Sequence, residues 1–213
     1  MANIKNIIFD LDGTLWDSRA QIIEAWKSIF PNLKVTVDDL TNLMGKTSND
    51  FINFLFSESN YDEASNHMKQ CEDVEVSYLS SHGANIYDKT IDVLKILSTN
   101  YNLFIVSNCQ NGYINSFIDY YELNDYFTDF ECNGNTNLTK AENIKLILDR
   151  NNLKYDESCY IGDTSSDYEA ATINEIIFIW AKYGFGNNIE CKYIINDISE
   201  LPNLINSFQL NHF

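Results

Sequence analysis

The sequence predicts an α/β protein: a parallel sheet with an all-helical unit inserted near its start. Two observations carry this. Short apolar runs alternate with helical patterns along most of the chain. One long stretch, from about Ser18 to His82, breaks that rhythm and reads as helix alone. The expected division is a core of residues 1–16 and 83–213 and a helical cap of residues 17–82. The 213 residues are enough for one well-buried core carrying such an insert.

The elements follow in order. Ile4–Leu11 is a continuous apolar run, as expected of a strand covered on both faces. Arg19–Phe30, Thr47–Phe56 and Asp62–Ser80 read as helices, punctuated by Pro31 and Gly45. No second strand is apparent before Asn102. Thr90–Ser98 and Lys140–Leu148 place apolar residues at helical spacing. Asn111–Tyr120, Ser165–Ala171 and Ile198–Phe208 do so more weakly. The later strands are Asn102–Ser107, Thr128–Glu131, Ser158–Gly162, Ile176–Tyr183 and Tyr193–Ile195. The asparagine-rich run at 133–137 reads as turn.

Charge narrows the function. With 31 acidic and 14 basic residues the net charge is -17. Such a surface repels nucleic acid and anionic membrane, so neither is an expected partner. A phosphate site on it must be made positive locally. Five cysteines, an odd number with no C-x-x-C, read as free thiols of a cytoplasmic protein. No apolar run approaches the length of a membrane span, and no targeting segment is visible before the first strand.

Ligands of open parallel sheets bind at the carboxyl ends of the strands, so the residues there carry the chemistry. Asp10, Asp12, Gly13 and Thr14 follow the first strand. Ser107 and Asn108 end the second, Lys140 opens the helix after the third, and Asp163 and Asp167 follow the fourth. Two aspartates one residue apart after a buried strand repel each other unless a metal, a shared proton or water relieves them. One can serve as nucleophile and the other as acid and base, with a divalent cation holding the charge. Lys140 adds a fixed positive charge, at a helix start where a cation is slightly unfavourable and so needs another reason. The set suits phosphoryl transfer.

"DLDGT", "VSN", "TK" and "GDTSSD", in this order, resemble the four motifs of the haloacid dehalogenase-like (HAD) hydrolase superfamily. The resemblance covers essentially the whole chain. It implies a Rossmann-like parallel sheet core with an inserted C1-type cap and a Mg²⁺ cofactor. Carried over, Asp10 is the nucleophile and a metal ligand. Asp12 is the general acid/base and reaches the metal through its carbonyl. Thr14 supports the phosphate loop, Ser107 and Asn108 bind the phosphoryl group, and Lys140 neutralises charge. Asp163 is a metal ligand, and Asp167 is either a ligand or the group that orients Lys140. Haloacid dehalogenases resemble this pattern with tyrosine at position 12 and phosphonoacetaldehyde hydrolases with alanine. Asp12 therefore argues for phosphate esters. The run looks most like phosphoglycolate phosphatases, with Asn174-Glu175 where that group usually carries Ala-Gly. A β-phosphoglucomutase-type sugar phosphomutase and a non-catalytic HAD-fold binding protein are the alternatives. The partner implied is a small phosphorylated metabolite, met by a monomer or homodimer.

Other residues have plainer readings. Asp17 and Ser18 start the first cap helix. Gly45-Lys46 sit where related caps place a specificity loop, although Lys46 also reads as a surface lysine. Trp16, Trp26 and Trp180 read as packing, and Phe51, Phe54 and Phe56 as cap core. His67, His82 and His212 show no ligand spacing.

Overall fold

The computed structural model describes residues 3–46 and 48–210. Its central strand is β1 (Asn6–Phe9). All four residues are buried, and alternate side chains point to opposite faces: Ile7 and Phe9 join one apolar cluster, Ile8 another. A two-residue strand follows, β2 (Trp16–Asp17). Four helices come next: α1 (Arg19–Ile29), α2 (Val37–Leu43), α3 (Ser48–Leu55) and α4 (Tyr61–His82). The chain returns through β3 (Asn85–Ile86), antiparallel to β2. Then come α5 (Thr90–Ser98), β4 (Asn102–Ser107), α6 (Tyr113–Tyr120), β5 (Phe127–Cys132) and the single turn α7 (Asn133–Thr136). The remainder is α8 (Lys140–Arg150), β6 (Ser158–Gly162), α9 (Ser165–Ile173), β7 (Ile177–Ala181), β8 (Tyr193–Ile195) and α10 (Leu201–Leu210).

The main sheet has six strands in the order β5-β4-β1-β6-β7-β8, and every pairing is parallel. The chain leaves β1 outward through β4 and β5, then returns to β6 on the other side. That reversal opens a crevice at the carboxyl end of β1, between β4 and β6. One face of the sheet packs with α8 and α9 through Ile144, Ile147 and Ala171. The opposite face packs with α5, α6 and α10 through Leu94, Phe117 and Ile205. The same apolar cluster continues into the helical segment through Ile22, Trp26 and Leu40.

Several elements differ from the sequence reading. The chain does form strands before Asn102: β2 and β3 pair where it enters and leaves the helical segment. They hold two residues each, too few to show a period. Helix α2 is likewise too short for a periodic signal, but it opens on a capping box. Thr36 Oγ1 accepts from Asp39 N at 3.2 Å, and Asp39 Oδ2 accepts from Thr36 N at 2.9 Å. Helix α6 starts at Tyr113 because Gly112 holds φ +85°. The turn expected at 133–137 contains one helical turn, α7. Phe54 is 47% exposed and is no core residue. Thr47 and His212 lie outside the described residues.

At Asn174-Glu175 the Asn174 side chain donates to Ala141 O and Ala170 O, both at 2.9 Å, tying α9 to α8. Glu175 then takes φ +55°, a conformation that suits glycine. None of the five cysteines is bridged.

Candidate active site

The site grows from the end of β1. Asp10 continues the ladder, its N–H donating to Ile161 O at 2.8 Å, and its side chain is buried. Two residues on, Gly13 turns the chain at φ +82°. A Cβ there would lie 2.2 Å from Asp163 Oδ2, so both the turn and the close approach require glycine.

Three carboxylates meet under this turn. Oxygens of Asp10, Asp163 and Asp167 lie within 4.8 Å of one another, and all three residues are buried. Lys140 bridges two of them: its Nζ donates to Asp10 Oδ1 at 2.9 Å and to Asp167 Oδ1 at 2.5 Å. Lys140 is itself buried, at the first position of α8. The Thr139–Glu142 capping box fixes that helix start, with Glu142 Oε2 accepting from Thr139 N at 2.8 Å. Asp167 also caps α9. Its Oδ2 accepts from Thr164 N and Thr164 Oγ1 at 2.8 and 2.7 Å. Asp163 accepts from Phe185 N at 2.7 Å, and Trp180 Nε1 donates to its carbonyl at 3.0 Å.

The charges follow from burial. Desolvation raises the Asp10 carboxyl to about 7, with Lys140 opposing the rise and the charge of Asp167 adding to it. Burial works against the Lys140 ammonium too, but Asp10 and Asp167 hold it firmly protonated. Asp163 is held well above the usual carboxylate range by burial, then by Asp167 and Asp10.

Asp12 is built differently. Its Oδ1 accepts from Ser18 Oγ at 2.5 Å and Tyr113 OH at 2.9 Å. Burial pushes its carboxyl up to about 6 against those two donors. Ser18 therefore spends its hydroxyl on Asp12 and leaves α1 without a side-chain cap. Asp17 stands beside it in a pair with Arg19 at 2.6 Å.

Asp10 and Asp12 line a cavity together with Ser107, Asn108, Gly45 and Lys46. Asn108 Nδ2 donates to Gly45 O at 2.8 Å, joining the end of β4 to the loop after α2. Lys46 is exposed. Thr14 is not on this cavity. It is fully buried, its hydroxyl donates to Asp163 Oδ1 at 3.5 Å, and its carbonyl accepts from Tyr183 OH at 2.8 Å. The sharp turn at Gly13 tucks it beneath the carboxylates.

The sequence reading missed Tyr113 and Glu75, which also line the cavity. Glu75 had a signal. The buried positions of α4 run Ala64, Met68, Cys71, Glu75, Leu79, so a carboxyl occupies the apolar stripe. Trp26, read as packing, donates its Nε1 to Glu75 Oε2 at 2.9 Å.

Fold and site together define an α/β enzyme with a lysine-bridged acidic centre at the carboxyl edge of its sheet. The chain belongs to the haloacid dehalogenase-like hydrolases, whose family model matches residues 7–181. It is 25% identical to a 5'-nucleotidase of Pseudomonas aeruginosa over 196 residues, 88% of this chain and 86% of that protein. Its fold is similar to that of a predicted phosphoglycolate phosphatase from Haemophilus somnus, with a TM-score of 0.82 at 19% identity over 96% of this chain and 99% of the other. The HAD-hydrolase YfnB from Bacillus subtilis, solved bound to magnesium, is similar at TM-score 0.73 and 18% identity, covering 96% and 99%.

Proposed function

We propose that the chain is a Mg²⁺-dependent phosphatase that hydrolyses a small phosphate monoester through an aspartyl-phosphate on Asp10, in the manner of phosphoglycolate phosphatases. The observation that carries this is the different treatment of two neighbouring aspartates. Asp10 is held by Lys140 at 2.9 Å, while Asp12 is held by the hydroxyls of Ser18 and Tyr113. That difference supports Asp10 as the nucleophile, its charge offset by Lys140, and Asp12 as the carboxyl that exchanges a proton. The 5'-nucleotidase relative and the magnesium-bound neighbour support the same reading.

The donor set fits a hard divalent cation: buried carboxylate oxygens of Asp10 and Asp163, with one lysine too few to balance them. The Asp12 carbonyl would complete the protein's share. Asp167, committed to Lys140 and Thr164, serves better to position that lysine. Bound there, Mg²⁺ would neutralise phosphoryl charge.

The protein's own groups then divide the work. An Asp10 oxygen forms the bond to phosphorus as the ester bond breaks. Asp12 gives its proton to the leaving oxygen. Ser107 and Asn108 hold the phosphoryl oxygens, and Lys140 offsets their charge. Asp12 next takes a proton from water, whose oxygen attacks phosphorus and frees Asp10. Residues 17–82 act as the cap, excluding bulk water, with Gly45 and Lys46 at the mouth. The substrate is a soluble metabolite met in the cytoplasm.

The test is phosphate release from a panel of monoesters with Mg²⁺ and with EDTA. Asp10→Asn is expected to fold and to release none, and near-normal turnover by it would remove the nucleophile assignment. Release from no ester by the unaltered protein would shift the reading to a phosphomutase or a binding role.

A further inference from the structure

Two thiols stand at the edge of the site. Cys109 follows Ser107 and Asn108 at the end of β4 and lines the same cavity as Asp10 and Asp12. Cys132 ends the neighbouring strand β5, pairs in register with Ser107 and is 2% exposed. The two loops are stitched together around this pair. Gly134 N donates to Cys109 O at 2.9 Å, and Cys132 Sγ meets Gln110 O at 3.6 Å. Gly134 is pressed so closely on that backbone that a Cβ would lie 2.2 Å from Asn111 N. The two side chains hydrogen-bond to each other, Cys109 donating to Cys132. That bond draws the Cys132 thiol below its ordinary range against its burial, helped by the N–H groups of Asn135 and Gly134. Burial, and then Cys132, holds the Cys109 thiol well above that range.

Buried cysteines commonly act as small apolar residues, and Cys159, inside the core of the sheet, is such a case. Packing does not account for two thiols in contact, one of them on the wall of the cavity. Resting on the phosphatase reading above, we propose that Cys109 and Cys132 close into a reversible disulfide when the protein meets hydrogen peroxide, and that this bond switches phosphoryl transfer off. Peroxide is close to water in size and meets Cys109 from the cavity. The Cys109 sulfur attacks one peroxide oxygen, and its proton passes to the Cys132 thiolate along their hydrogen bond. The O–O bond breaks, hydroxide leaves, and Cys109 becomes a sulfenic acid. The Cys132 sulfur then attacks the Cys109 sulfur, whose hydroxyl leaves as water. The hydroxide takes up the proton that Cys132 had released. In total two thiols lose two electrons and two protons, and one peroxide becomes two waters.

The new bond pulls Cys109 toward Cys132. Gly134 already presses on Gln110 and Asn111, so the movement falls on Ser107 and Asn108. Those are the residues assigned above to the phosphoryl oxygens, and Asn108 also seats the loop at Gly45. A displacement of ~1 Å in positioning groups costs about a hundredfold in rate.

The test starts from the reduced protein with Mg²⁺ and the best ester of the panel above. It is treated with hydrogen peroxide and afterwards with dithiothreitol. Peroxide is expected to lower phosphate release by about tenfold or more, and a peptide map to join Cys109 to Cys132. Dithiothreitol is expected to reverse both. Cys132→Ser removes the partner sulfur and leaves the cavity wall in place. It is expected to match the unaltered protein before peroxide and to keep most of its activity afterwards. Three results overturn the inference while the phosphatase reading stands: no link in the map, a link that leaves release unchanged, or equal loss of activity in Cys132→Ser. Release from no ester by the reduced protein overturns the phosphatase reading instead, and the map still decides whether the pair closes.

Discussion

Glu75→Gln tests the physics of the pocket without any substrate. Burial, the largest cause, pushes the Glu75 carboxyl from 4.5 to about 8, with the negative charges of Asp12 and Glu72 adding to it and Gln110 and Trp26 opposing. Between those values the folded protein keeps a proton that the unfolded chain has released. The folded state binds more protons, so this group's contribution is complete below pH 4.5 and is lost as pH rises toward about 8. At 1.36 kcal/mol per unit, the loss between pH 5 and pH 8 is on the order of 3 kcal/mol. Glutamine does not titrate. Urea unfolding of both proteins, followed by tryptophan fluorescence at pH 5, 6, 7 and 8, gives the gap in stability at each pH. Groups common to both cancel in that gap. It is expected to move by about 3 kcal/mol in favour of the variant as pH rises. A gap that stays constant would refute the argument that burial governs Glu75.

Lys140→Met leaves the carboxylates of Asp10, Asp163 and Asp167 facing one another without their bridge. A loss of roughly 3–5 kcal/mol is expected in EDTA, and smaller with Mg²⁺; urea midpoints in both buffers check it. Glu175→Gly relieves a side chain held at φ +55° and should raise Tm by a few degrees in calorimetry, the relief exceeding the entropy cost of glycine. No rise would mean that the turn is unstrained. Tyr113→Phe keeps the ring that packs edge-on against Trp16 at 5.5 Å, but removes one of the two hydroxyls on Asp12. It should lower kcat about tenfold with little change in KM, and an unchanged kcat would separate Tyr113 from the acid/base step.

The parallel sheet was legible because its strands are buried on both faces, and burial of that kind writes unbroken apolar runs such as Ile7-Ile8-Phe9. Asp10, Asp12, Ser107, Lys140 and Asp163 were legible for a related reason. Each stands at or just past the end of an apolar strand or at a helix start, where a polar or charged group has no packing purpose. The elements that escaped are those whose signal is shorter than a period. Strands β2 and β3 have two residues each. Their pairing depends on the chain's exit and return meeting across 67 intervening residues, from Ser18 to Ala84. Nothing local in Trp16-Asp17 records that meeting.

The site shows the same limit from the other side. A motif reports which residue types the chemistry needs, but not which neighbours hold them. Thr14 carries the expected hydroxyl, yet the turn at Gly13 directs it to Asp163 rather than to the cavity. Ser18 looks like a helix cap, and its oxygen goes to Asp12 instead. In both cases the hydroxyl goes to a carboxylate of the site instead of the local use its position suggests. Glu75 is the reverse case, because its environment was written in the sequence. One carboxyl in the stripe Ala64, Met68, Cys71, Leu79 must be desolvated when α4 packs. A helix accepts that cost only where partners meet the charge. Trp26 from α1 and Gln110 from the loop after β4 do so. The three come together only when the helical segment lies over the end of β4. The carboxyl that shapes the pocket therefore also reports how that segment is seated.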